Sequence, residues 1–139
     1  MGIYFPKTYC PGAGVVIGDR ILHGNRHFAG EFGCVQGEEN WLTLDYTDEQ
    51  RVSGMIGQSL VIYACTVAPH SVVLYGDFFT PDIERGLHRY LQQRLKGRFD
   101  MEVSCRSSMA ADMERGAVKL GLERMKKILS RMDKDQKEN

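Results

Sequence analysis

Apolar and polar positions alternate in short runs at the start of the chain and in longer, helix-spaced runs after its middle. Gly2 to Phe5 is short, apolar and rich in strand formers. Gly14 to Ile17 is a β-branched run closed by the turn dipeptide Gly18-Asp19, and Arg20 to His23 reads as the returning arm of a hairpin. Three short strands joined this tightly predict an antiparallel meander. From Asn25 to Tyr46 the periodicity is lost among glycines, acids and Trp41, which predicts a long functional or linking loop.

Helical spacing begins next. Thr47-Asp48-Glu49-Gln50 reads as a capping box, with Thr47 as the cap and Gln50 reaching back. Val52, Met55, Ile56, Leu60 and Tyr63 recur at helical intervals to about Thr66, and Pro69 closes the segment. Ser71 to Tyr75 is a continuous apolar run of the kind buried on both faces of a parallel sheet. Thr80-Pro81 starts a second helix with Ile83, Leu87, Tyr90, Leu91 and Leu95 on one face, and Gly97 stops it. Phe99 to Cys105 alternates as an edge strand would. A last helix from about Ala110 to Arg131 places Val118, Leu122, Met125, Leu129 and Met132 on one side. The polar tail Asp133 to Asn139 is expected to fray.

The predicted order is βββαβαβα. Strand–helix–strand connections place the later strands parallel, so the expected class is α/β: a mixed sheet with helices packed on it, arranged as in a ribonuclease-H-like (actin-like ATPase) lobe. One domain over residues 1–132 followed by a loose tail accounts for the whole chain.

Composition narrows the function classes. Eighteen basic and eighteen acidic side chains cancel over 139 residues, which argues against direct nucleic-acid binding through a basic surface. No apolar run is long enough to span a membrane. The first residues lack a basic stretch followed by a long apolar one, so a cytoplasmic location is expected. Cys10, Cys34, Cys65 and Cys105 are widely spaced with no C-x-x-C pair, so free thiols are expected and a cluster of Cys34 with a histidine is not.

Four segments then carry a resemblance. Pro11-Gly-Ala-Gly-Val-Val-Ile-Gly-Asp-Arg-Ile-Leu-His-Gly24 is followed by Phe28-Ala-Gly-Glu-Phe-Gly-Cys34. Ala68-Pro-His-Ser-Val-Val-Leu-Tyr-Gly76 and Ala110-Ala-Asp-Met-Glu-Arg-Gly-Ala-Val-Lys-Leu-Gly121 come downstream in the same order. Together they resemble the C-terminal lobe of the ROK family of sugar kinases and sugar-responsive repressors. The second segment is similar to that family's A-G-E-x-G-H loop, whose glutamate bonds sugar hydroxyls. The resemblance thus makes Glu31 the expected sugar-binding residue, flanked by Gly30 and Gly33. It also makes Gly12, Gly14 and Gly76 the vestige of a nucleotide site.

The departures matter as much. The family's N-terminal lobe, with its phosphate loop and base, has no counterpart in these residues. Thr8-Tyr9-Cys10 stands where the family has a glycine-rich phosphate loop. Asp77 would add negative charge beside a nucleotide phosphate, and Cys34 replaces the histidine that helps hold zinc. No catalytic residue, no ATP or other cofactor and no metal are therefore expected. The leading expectation is a non-catalytic carbohydrate-binding or regulatory remnant. The alternatives are half of a split or truncated ATP-dependent sugar kinase, and an assembly module. A lobe without its partner is expected to self-associate, most simply as a homodimer.

The remaining conspicuous residues read more plainly. His23 and His27 are expected at the surface. Trp41 suits either stacking on a sugar or covering the core. Lys126, Lys127 and Arg131 form a solvated helix face, and Met109, Met113, Met125 and Met132 read as core filler or interface.

Overall fold

The computed structural model describes residues 1–35 and 40–135. The chain divides into two compact units, Met1–Ser107 and Ser108–Asn139. The fold is mixed α/β.

In the first unit, β1 (Gly2–Tyr4) pairs antiparallel with β2 (Gly12–Gly14). Two short strands, β3 (Val16–Ile17) and β4 (Arg20–Ile21), form a ribbon of their own. The single meander expected from the sequence is thus broken. Val15 is the break: its side chain is buried, and its carbonyl accepts a hydrogen bond from the Leu22 amide at 2.8 Å. Turning that side chain inward bends the strand, so β2 stays in the main sheet and β3 leaves it.

α1 (Glu49–Thr66), β5 (Ser71–Tyr75), α2 (Pro81–Leu95) and β6 (Glu102–Arg106) follow. β5 pairs parallel with β1, and β6 pairs parallel with β5, giving the order β2-β1-β5-β6. The two crossovers step in one direction, and connections of a single hand then carry both helices to one face of the sheet. On that face Ile3, Val72 and Leu74 meet Val52, Ile56 and Leu60 of α1 and Ile83, Leu87 and Leu91 of α2, all buried. Each such side chain contributes about 1.5–3 kcal/mol when taken from water.

Local signals account for most element ends, with instructive exceptions. Asp48, not Thr47, caps α1: its side chain accepts from the Arg51 amide at 3.1 Å. The Thr47 hydroxyl is already committed, donating to the Asp45 carboxylate at 2.7 Å. α2 begins as expected, with the Thr80 hydroxyl accepting from the Ile83 amide and Pro81 in the first turn. It ends at Lys96, which takes the left-handed conformation with Gly97 behind it.

β5 covers the residues its apolar run predicts, but it is not buried on both faces. Val72 and Leu74 are fully covered, whereas Val73 and Tyr75 are half-buried. β6 does lie at the sheet edge, with Val103 and Cys105 turned inward.

In the second unit, Ser108 Oγ accepts from the Ala110 amide at 3.2 Å ahead of α3 (Ala110–Asp135). The helix runs beyond Arg131 into the segment expected to fray, and residues 136–139 lie outside the described residues. The stripe Val118, Leu122, Met125, Leu129 and Met132 shares one side of α3, and among the described residues of this unit there is no second element for it to pack on. Among the described residues, no helix is long and apolar enough to cross a membrane.

Candidate functional site

The stretch expected to be one structureless loop is organised by a layer of aromatic rings. Two short 3-10 turns, Asn25–His27 and Phe32–Cys34, punctuate it. Phe32 is fully buried, edge-on to Phe5 with ring centroids 5.4 Å apart and stacked on Tyr63 of α1 at 5.5 Å. Trp41 lies 5.4 Å from Phe5 and 5.5 Å from Phe32 by ring centroids, and its indole N–H donates to the Val35 carbonyl at 3.3 Å. Only 1 % of Trp41 is exposed. Its ring covers the core and is not offered to a sugar. Burial raises the Tyr46 and Tyr63 hydroxyls above the usual phenol range, and a nearby Cys10 thiolate adds to the effect at Tyr46.

On this layer sits the loop that carries Glu31. Its attachment to the sheet explains the two flanking glycines. The Gly30 carbonyl accepts hydrogen bonds from the Ala13 amide of β2 at 2.7 Å and from the Phe32 amide at 2.6 Å. Gly30 has φ +100, and a Cβ there would lie 1.9 Å from the Ala13 carbonyl oxygen. No other residue fits. At Gly33 a Cβ would lie 2.4 Å from Cys10 Cβ. Gly30 and Gly33 therefore serve backbone packing against β2 and the loop before it, on either side of the residue expected to bind a sugar.

Glu31 stands between these two anchors and is exposed. Its backbone is tied down, with the carbonyl accepting from the Cys34 amide at 3.1 Å. Its carboxylate has no hydrogen bond or ion pair to any other described residue. A rigid backbone thus holds an acceptor toward solvent, as a hydroxyl-rich ligand requires.

The positions expected to be a vestigial nucleotide site sit in different surroundings. Gly12 and Gly14 lie on β2 with open space where a side chain would be. Gly76 is buried beneath the next two rings, where a Cβ would come within 2.7 Å of Phe78 and 3.1 Å of Phe79. That glycine is explained by the aromatic layer. Asp77 does not confront a ligand as a bare negative charge, because Lys7 Nζ lies 2.9 Å from its carboxylate. The pair joins the loops after β1 and β5 at the C-terminal edge of the parallel strands, where ligands of open α/β sheets commonly bind. Tyr9, in the same loop as Lys7, is 64 % exposed.

His23 and His27 are exposed as expected, and their rings meet edge-to-face at 5.0 Å. Arg26 and His27 both take positive φ in the 3-10 turn Asn25–His27. No group of three metal-ligating side chains is present among the described residues. All four cysteines are free thiols. Cys105 is half-buried, and burial, aided by the Glu84 carboxylate, pushes its thiol up to about 12.

Sequence reasoning missed the aromatic layer, because Phe5, Phe32, Trp41 and Phe78 share no period. Two signals were available: the Phe78-Phe79 pair directly after Gly76, and Pro6 and Pro11 bracketing the loop after β1. No protein-family model, no curated protein and no solved structure matches the chain.

Proposed function

We propose that this chain is a ROK-like C-terminal lobe of ribonuclease-H-like type that binds a carbohydrate without catalysing phosphoryl transfer on its own. The observation that carries this reading is the anchoring of the Glu31 loop. Gly30 and Gly33 are demanded by close contact with β2 and Cys10, and the residue held between them is an exposed carboxylate with no partner among the described residues. That arrangement suits the motif Ala29-Gly-Glu-Phe-Gly33 as a sugar-hydroxyl acceptor.

The strand order supports the finer fold assignment. β3 and β4 form a separate ribbon, but β3 follows β2 across the Val15 bend, so the two can be counted as one bent strand with β4 as its hairpin partner. The sheet then reads as an antiparallel meander with two parallel crossover strands added beside β1, the order of such lobes. A cytoplasmic location and a partner for the lobe, either a second copy or a catalytic lobe supplied separately, belong to the same reading.

The functional consequence is recognition rather than turnover. Phosphoryl transfer needs groups that clamp the phosphate and a base aligned on the acceptor hydroxyl. The loop after β1 offers Lys7 already paired with Asp77.

Calorimetric titration with hexoses and N-acetylated hexosamines, each with and without Mg-ATP, tests the proposal. One sugar should bind, indifferent to ATP, and Glu31→Ala should weaken it about tenfold or more, the worth of a charge-assisted hydrogen bond. Glu31→Ala should leave thermal stability nearly unchanged, since the side chain is exposed. Silence across the panel would retire the carbohydrate reading.

A further inference from the structure

The apolar stripe of α3 differs in spacing from the buried face of α2. Ile83, Leu87 and Leu91 of α2 step by four, as on a helix laid across a sheet. On α3, Val118, Leu122, Met125, Leu129 and Met132 step by four, three, four and three. That is the 3.5-residue repeat of a coiled-coil seam, from which a straight helix drifts by about 20° per heptad. The five side chains are 52–59 % exposed, so more than half of each is left to water. Gly116 and Gly121 lie within the same 26-residue helix, and glycine is among the weakest helix formers. Most of the stability of such a helix comes from packing its apolar face.

The flanking charges select what packs there. With Leu122 and Leu129 at the a positions and Val118, Met125 and Met132 at d, Glu114 falls at g, and Lys119 and Lys126 fall at e. All three charged residues are exposed. Beside a parallel second copy, g of one helix meets the e position five residues on in the other. Glu114 then faces Lys119 of the second copy, twice by symmetry. Beside an antiparallel copy e meets e, and Lys119 faces Lys126 of the second copy, twice and with like charge. Arg115, at the a position before Val118, is paired with Asp112 and ends the seam on its N-terminal side.

We propose that α3 is an interaction surface for a second copy of this chain, the two helices forming a short parallel coiled coil through residues 118–132. Lys119 and Lys126 border the seam, and a bundle of more helices would bury their ammonium groups at a cost. A second copy thus becomes the partner that the ROK-like reading left open. The seam draws on that reading for its role and not for its formation.

Sedimentation equilibrium of the full chain tests this. At about 100 µM the chain should be a dimer, as for a seam of micromolar affinity. Leu122→Glu should be a monomer at that concentration, with unfolding of the first unit, followed by Trp41 fluorescence, unchanged. Lys119→Glu should raise the dissociation constant about tenfold, because a carboxylate then faces Glu114 of the second copy where an ammonium did. Adding Glu114→Lys to Lys119→Glu should restore the original affinity. An antiparallel pair predicts the opposite sign, tighter association of Lys119→Glu, and that result would overturn the proposal. A chain monomeric at that concentration would also overturn it and leave the stripe to a separately supplied lobe. So would an assembly larger than a dimer, or a dimer that survives Leu122→Glu, whose interface would lie elsewhere. A dimer with the expected responses that binds no sugar would uphold the seam and retire only the carbohydrate reading.

Discussion

The first unit has two kinds of interior. Beneath α1 and α2 the core is aliphatic, and it is assembled from periodic elements: Ile3, Val72 and Leu74 from the sheet, Val52, Ile56, Leu60, Ile83, Leu87 and Leu91 from the helices. Beneath the loops that carry Glu31 and Asp77 the core is aromatic, and it is assembled from residues with no common period: Phe5, Phe32, Trp41 and Phe78. The first interior is held by many similar side chains on stiff elements, so loss of one is shared. The second is a few large rings under irregular backbone, so each ring also sets where a loop runs. Rigid presentation of a site on loops needs the second kind of interior.

The largest expected effect breaks the aromatic side. Phe32→Ala should cost about 3–5 kcal/mol, as for other buried rings. It should also free the Glu31 loop, which urea denaturation combined with hydrogen exchange of the residue 28–34 amides would detect. Leu87→Ala in the aliphatic side should cost a comparable ~2–5 kcal/mol but leave those amides as protected, relative to global stability, as in the unaltered chain. Equal loosening of the loop by both substitutions would erase the distinction.

A smaller effect comes from Gly30→Ala. Positive φ and the approach to the Ala13 carbonyl together predict a loss of about 1–3 kcal/mol. They also predict selective loss of protection at the Ala13 amide, which bonds Gly30. If Gly30→Ala is tolerated with that amide still protected, the loop is not seated on β2 as described.

The smallest effect concerns alkaline pH and the aliphatic side. Cys105 lies opposite Leu74 in the sheet, and Glu84 on α2 helps to raise its thiol. The folded thiol holds its proton from the ordinary value of 9.0 up to about 12, whereas the unfolded one loses it. Folded chains therefore bind more protons in that window, and stability must fall as pH rises through it. The raised Tyr46 and Tyr63 hydroxyls act in the same direction at higher pH. Thermal denaturation from pH 8 to 10.5 should show a shallower decline for Cys105→Ala than for the unaltered chain. Identical slopes would mean that the thiol is not held in its protonated form by the fold.

Much of the periodic half was legible in the residues. The span of β5, the Thr80-Pro81 start of α2, its buried face and the edge position of β6 follow from local spacing and caps. The Thr47 cap was misread because two acids, Asp45 and Asp48, compete on either side of one hydroxyl, and only the folded backbone shows that Asp45 takes it. The meander was drawn unbroken because Val15 is one more β-branched residue in a run. Its inward turn depends on what lies beneath it. At the candidate site, Glu31 and its glycines could be singled out by motif, but the reason for each glycine could not.

The sequence by itself determined the α/β class, the order of the helices and later strands, and the aliphatic stripes, because those rest on interactions between residues a few positions apart. Tertiary structure alone decided that Trp41 is core, that Gly30 answers to Ala13, that Asp77 is paired with Lys7 and that Cys10 rests on Gly33. Each of these joins chain segments whose separation no local propensity encodes, and their geometry exists only once the sheet has brought those segments together.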